Sequence, residues 1–405
     1  MIKLSSFKEL FKAAGLPGYL FFFSNILYFF VTRRRSLDDY SAIDSSAFIQ
    51  IIYIFSVFLI GLIILYKNPE KRKFLFSTPQ VYLLLFVFIC FFSMIWTTDV
   101  FVTGFRAFES LTYLLLISLI TYNLTEKLHY QDIIEWSFLW IIWEIFWSIA
   151  TAVKLGGFGY LIWPFRAARL SVPMFFFFAL LLEKRIVFRY IILIFSILMI
   201  SNKVYFGIAF GLAGFLFGEN KYKAWLILLF FLILFVLAFI NPEELLKDTL
   251  FYGRESVSMA STSGRDKVWA VAWEAFLQKP YGGYGFVSGE SSILYNKFNG
   301  AISTHNFLFS GLLGTGIAGT IFLILYFVDA FLKASSKYFP KNRIRPAMVA
   351  TLIMSLVVSS TAPGIGGRVY GSWIPVVLVI ALISGLQYQF KILTKIKRIQ
   401  NYKSL

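Results

Sequence analysis

Apolar runs of bilayer-crossing length recur from one end of this chain to the other, and this constrains its fold more than any other feature. Inside the hydrocarbon layer no water satisfies a backbone N–H or C=O, so a chain crosses only as helices or as a closed barrel. A perpendicular helix needs about 20 apolar residues. Twelve candidate spans can be placed, near 14–31, 47–66, 79–96, 107–122, 133–153, 165–182, 186–200, 204–217, 224–240, 306–331, 346–362 and 372–390. The sixth, seventh and eighth are short and borrow flanking residues. The expected fold is all-α: a polytopic transmembrane helical bundle of about 12 spans. One long extracytoplasmic loop containing an amphipathic helix completes it.

Composition excludes the other classes. The chain is 59% hydrophobic and 15% charged, whereas a soluble domain carries about 25% charged residues. A soluble enzyme, a disordered chain and a disulfide scaffold are all ruled out. The single cysteine, Cys90, lies in an apolar run and reads as a small core residue. Two histidines, His129 and His305, are too few for a histidine-based metal site.

The net charge of +17 is a topology signal rather than a nucleic-acid patch. With twelve spans both termini share a side, and 23 of the 38 Lys and Arg residues fall there. The positive-inside rule then places both termini in the cytoplasm. The basic, mildly amphipathic start, Met1 to Gly18, reads as an uncleaved signal-anchor.

Four regions follow. Residues 1–240 hold transmembrane helices 1–9, and residues 241–304 form the extracytoplasmic loop. Residues 305–390 hold helices 10–12, and residues 391–405 are a basic cytoplasmic tail. A loop of this length in a compact protein is functional or disordered, and this one is rich in aromatics. Ser263 can N-cap a helix with Asp266 at N3. Trp269, Trp273 and Phe276 then share a face at i, i+4 and i+7. Pro280-Tyr281-Gly282-Gly283-Tyr284-Gly285 ends the helix and reads as a mobile flap.

Four features stand in order: Ser263-Gly264-Arg265 before the aromatic helix, Pro280 followed by Gly283 and Gly285, His305-Asn306 opening a span, and Gly311 to Gly319 within it. In this order the chain resembles the O-antigen polymerase and O-antigen ligase family, GT-C-like integral membrane glycosyltransferases of bacterial surface polysaccharides. The specific part is mainly residues 263–319, with weaker echoes at 163–173 and 201–207. The resemblance implies about twelve spans, a large periplasmic loop and an active site on the periplasmic face of the bacterial inner membrane. It also implies an essential loop arginine and loop histidine, here Arg265 and His305. A sixth-span arginine matches Arg166 or Arg169; the family's glycine is absent between them, so the choice stays open. Lys203 stands where the family has an arginine. The implied donor is an undecaprenyl-diphosphate-linked glycan. The acceptor is a sugar on a lipid-linked repeat unit or on lipid A-core, and a chain-length regulator protein is a further implied partner.

The chemistry can also be argued from the residues. A polyisoprenyl diphosphate leaving group needs positive charge but no proton. Arg106, Lys154, Arg166, Arg169, Lys203 and Arg368 lie at extracytoplasmic span edges, and Arg265 comes from the loop. Arginine suits a diphosphate because its planar fork binds two oxygens. The attacking sugar hydroxyl benefits from a general base, and His305 is the only histidine on that side. Direct displacement inverts the anomeric carbon. No metal and no other cofactor is expected, since no D-x-D-like pair occurs in the extracytoplasmic loops.

Plainer readings stand beside these. His305 can anchor a helix start, and Arg265 can pair with Asp266 or Glu274. Arg166 and Arg169 can snorkel, and Arg106 can pair with Glu109. Trp140, Trp143 and Trp147 read as packing, and Glu144 as an intramembrane carboxylate of open role. Within the family, polymerase is preferred to ligase on frequency alone. A lipid-linked-oligosaccharide flippase or transporter is the alternative of another class, for which two similar halves with paired broken helices are expected. A shape-and-division type peptidoglycan polymerase would use a loop carboxylate in place of the histidine.

Overall fold

A computed structural model shows a helical protein, with no strand among the described residues. These are 4–31, 45–156, 171–183, 186–198, 202–217, 265–298, 303–340, 343–361, 366–367 and 373–403. The helices are α1 Leu4–Val31, α2 Ser45–Lys67, α3 Pro69–Phe76, α4 Gln80–Phe92, α5 Val100–Lys127, α6 Tyr130–Gly156, α7 Ile186–Leu198, α8 Asn202–Phe217, α9 Arg265–Gln278, α10 Ser288–Phe298, α11 Phe307–Ala334, α12 Ile344–Thr361 and α13 Trp373–Lys403.

Five of these contain a stretch long and apolar enough to cross a membrane: Ala47–Lys67, Val100–Lys127, Tyr130–Lys154, Phe307–Ala334 and Trp373–Thr394. A sixth crossing results if α3 and α4, bent by 81°, count as one. Other expected spans take different forms. Of the expected sixth span, residues 165–170 lie outside the described residues, and the rest holds a 3-10 turn, Val172–Phe175, running into one α turn, Phe176–Ala179. Pro173 supplies no N–H for a helix interior. Apolar helices at Ile186–Ser196 and Ile344–Ser360 are shorter. The span at 224–240 lies outside the described residues.

α5 occupies the middle of the first half and packs on α1, α2, α4 and α13. Four of its hydroxyls are satisfied inside the helix: Ser110, Thr112, Ser118 and Thr125 each donate to the carbonyl four residues back. It also repairs α1, which is broken at Gly15 with φ 66°. Pro17 cannot donate to the Ala13 carbonyl, and Lys127 Nζ takes that carbonyl at 3.4 Å. Asn123 Nδ2 takes the Ala14 carbonyl at 2.8 Å. Trp140 is fully buried, its ring 3.8 Å from that of Phe21. That residue of the tryptophan stripe is core, not lipid-facing.

Several connections meet at one end of the bundle. Phe74 stacks edge-on with Tyr122 and Tyr388. Gln389 Nε2 donates to Leu128 O, and Lys333 Nζ donates to Ser77 O. Gln387 joins Ser336, and Arg343 pairs with Glu183. These are the connections that charge counting assigns to the side of the termini. Elsewhere Lys154 Nζ caps the Phe29 and Phe30 carbonyls that end α1, and Arg106 pairs with Glu109 at 2.8 Å. Both cations thus follow the plainer readings.

Candidate functional site

The site is built on a broken helix. α11 begins at a cap: Asn306 Oδ1 accepts from Leu308 N at 2.9 Å and Phe309 N at 3.4 Å. The Asn306 amide also donates to Ser360 O at the end of α12. Ten residues on, the helix breaks at Gly316, φ 64°. A break in a span leaves backbone groups that must find partners.

The segment before α10 supplies them. Tyr284 N donates to Leu313 O at 2.7 Å and Gly285 N to Gly314 O at 3.0 Å. In return Ile317 N donates to Pro280 O at 2.8 Å, and Ala318 N to Tyr281 O at 3.4 Å. Residues 280–285, which by sequence alone resemble a mobile flap, are therefore fixed into the gap. Backbone lies on backbone there, which leaves no room for a Cβ. One at Gly316 would stand 2.4 Å from the Tyr281 carbonyl, and one at Gly283 would stand 2.6 Å from Leu313 O. On its other side the segment is tied to the α4–α5 connection. Trp96 Nε1 donates to Gly282 O at 3.0 Å, Phe286 N donates to Ser93 Oγ, and Ser288 bonds Thr103.

α9 lies along the outer half of α11. Trp269, Ala272, Ala275 and Phe276 pack against Phe309 and Leu313. Trp269 stacks on Phe309 at 5.9 Å. Trp273 does not join this face, contrary to the i, i+4, i+7 expectation: it is 48% exposed. The buried stripe runs through the alanines instead, because only small side chains let α9 approach α11. The Tyr284 hydroxyl closes the end of α9 by donating to Ala275 O at 2.9 Å, and burial pushes its pKa upward.

His305 sits where these parts converge. It lies one residue before the cap of α11, with a left-handed φ of 54°. Histidine enters that region more readily than most residues, yet at a cost of roughly 1–2 kcal/mol. Non-glycine residues held there concentrate at functional sites. Its backbone N–H donates to Ser303 Oγ at 3.2 Å. The preceding residue, Thr304, accepts the indole N–H of Trp269 at 2.9 Å on its carbonyl. Trp269 is four residues from Arg265, the first residue of α9, so the bond joins the second turn of α9 to the residue before His305.

Sequence reasoning missed Glu290. This α10 residue is buried, and its Oε1 accepts from Thr304 N at 2.6 Å, Thr304 Oγ1 at 2.8 Å, Ser310 Oγ at 2.8 Å and Ser303 Oγ at 3.4 Å. Val287, just before α10, is the other non-glycine residue of positive φ among the described residues, 63°. Of the remaining expected site residues, Arg166, Arg169 and Arg368 lie outside the described residues. Arg265 and Lys203 stand in the first turns of α9 and α8; their side chains lie outside what is described. Glu144 is half-buried within α6. No protein-family model matches the chain, and no curated protein matches it in sequence.

Proposed function

We propose that this chain is an integral membrane glycosyltransferase that moves a glycan from a polyisoprenyl (undecaprenyl) diphosphate to a sugar hydroxyl on the periplasmic face of the inner membrane. It acts as a surface-polysaccharide polymerase of the O-antigen type; ligation to lipid A-core would use the same donor chemistry. The acceptor oxygen bonds to the anomeric carbon as the bond from that carbon to the diphosphate breaks. The configuration inverts. His305 takes the acceptor proton, and the polyisoprenyl diphosphate leaves as an anion. Arg265, Lys203, Arg368 and one of Arg166 and Arg169 bind or steady that diphosphate, and the step asks for no metal.

The observation that carries the reading is the bond from Trp269 to Thr304. It ties the first two turns of α9, which begins at Arg265, to the residue before His305. The free amides of a helix head favour an anion, and His305 lies in left-handed backbone one residue before the cap of α11.

The test is polysaccharide length and amount in a strain lacking its own copy, with variants at matched membrane levels. His305→Ala and Arg265→Ala should each lower extension by about 10²–10⁴-fold. Arg265→Lys should rescue poorly, because the bidentate fork is lost. Wild-type polysaccharide from His305→Ala would remove the general-base role.

A further inference from the structure

The residues that flank His305 converge on one carboxylate oxygen. We propose that Glu290 is a positioning residue: its buried carboxylate gathers the residues on both sides of His305 and so fixes the imidazole for the proton transfer. The inference rests on the reading of His305 as the acceptor's base.

Three observations carry it. First, Glu290 Oε1 accepts from Ser303 and Thr304 before His305 and from Ser310 after it. The backbone on either side of the imidazole is thus tied to the same atom. Second, the turn it ties is not one the chain adopts freely. Left-handed backbone at a histidine persists only where the surroundings over-determine it. Thr304 is the adjacent residue, and its amide makes the shortest of these bonds, 2.6 Å. Third, Glu290 is itself held. α10 starts after Val287, a β-branched residue at φ 63°, and Ser288 joins Thr97 and Thr103. A β-branched residue at positive φ is a greater departure than a histidine. The helix that carries the carboxylate is thus anchored at its start, through Ser288, to Thr97 of the α4–α5 connection and Thr103 of α5.

A carboxylate suits the role better than an amide. It is an acceptor only when ionised, with about four lone-pair positions, and the bonds from Ser303, Thr304 and Ser310 all bring donors to Oε1. Bonds from donors to an ionised acceptor are about twice as strong as neutral ones. Removing the group would leave the buried Thr304 N–H without its 2.6 Å acceptor, and the Thr304 and Ser310 hydroxyls with only each other and the Asn306 carbonyl.

Two readouts on the full-length protein separate positioning from general support. The first is carbethoxylation of the histidines by diethyl pyrocarbonate, followed by mass spectrometry. The chain has two, and His129 stands in the α5–α6 connection, beside Tyr130 and away from Glu290, as an internal reference. The second is polysaccharide extension in cells.

Glu290→Ala should raise the His305-to-His129 labelling ratio about tenfold, as expected when a set of buried bonds holding a turn is lost. It should also lower extension nearly as far as His305→Ala. Glu290→Gln, which keeps an acceptor in place, should stay within about threefold of wild type in the labelling ratio and lose far less extension than Glu290→Ala. Ser310→Ala, which removes one donor, should shift the ratio in the same direction by a smaller factor and stands in if Glu290→Ala fails to insert. An unchanged ratio in Glu290→Ala and Ser310→Ala would overturn the proposal. So would equal labelling changes at both histidines, which would mean general loosening. A raised ratio with wild-type extension in both Glu290→Ala and His305→Ala would leave Glu290's hold on the turn standing and remove the base reading instead.

Discussion

The indole N–H of Trp269 reaches the carbonyl of Thr304 across 2.9 Å, closing 35 residues of sequence into a ring that contains the flap and α10. Between them, α9 packs on Phe309 and Leu313 of α11 and residues 280–285 fill its break. α9 comes to the residue before His305 through this closure, not through any local run of sequence.

Trp269→Phe tests that closure. Phenylalanine keeps the ring stacked on Phe309 but cannot donate. The loss should cost about 1 kcal/mol of local stability. Extension should fall several-fold while membrane insertion stays normal. Wild-type extension from this variant would show that the head of α9 is held by apolar packing alone.

Gly316→Ala tests the filled break. A Cβ there meets the Tyr281 carbonyl at 2.4 Å and sits at positive φ. Overpacking and left-handed backbone together cost about 2–5 kcal/mol. The flap should be expelled and become sensitive to added protease in membrane vesicles. Gly314→Ala is the control, since its nearest new neighbour is Phe286 Cα at 3.4 Å, and it should remain resistant. Equal resistance in the two variants would refute the account of the break.

Sidedness can be checked with tags. Tags at Leu405 and within residues 67–78 should both report the cytoplasm, and a tag near Ser291 the opposite face. A cytoplasmic report at Ser291 would put His305 and Glu290 on the wrong side for an extracytoplasmic glycan donor.

Extension by purified protein should persist in EDTA, because the departing diphosphate is expected to be neutralised by arginines and lysine. Activity lost in EDTA and restored by Mg²⁺ or Mn²⁺ would mean that carboxylate ligands take part.

The parts of this fold legible in sequence are those whose signal is local. α2, α5, α6 and α13 show as apolar length, and α9 shows through its aromatics. His305 stands out as the one histidine beyond the charged loops. What stays hidden depends on partners far along the chain. Glu290 lies in an unremarkable run, Ser288-Gly289-Glu290-Ser291-Ser292, and its donors are 13 to 20 residues away. No periodicity marks such an acceptor. Gly316 reads as a small residue for close packing, and only the flap lying across it reveals a break. Trp273 is misplaced by periodicity because the alanines of α9, which carry little hydrophobic signal, form its packing stripe.

The break in α11 also sets a length. From Ile317 to Ala334 there are 18 residues, about 27 Å of helix at 1.5 Å per residue. That nearly matches the roughly 30 Å of a hydrocarbon layer. The lower piece of α11 is therefore long enough for a complete crossing by itself. His305 stands on the other side of the break, eleven residues before Gly316, about 16 Å further along at helical rise. The break thus divides α11 into a piece of crossing length and a shorter piece that carries the His305 turn at its far end.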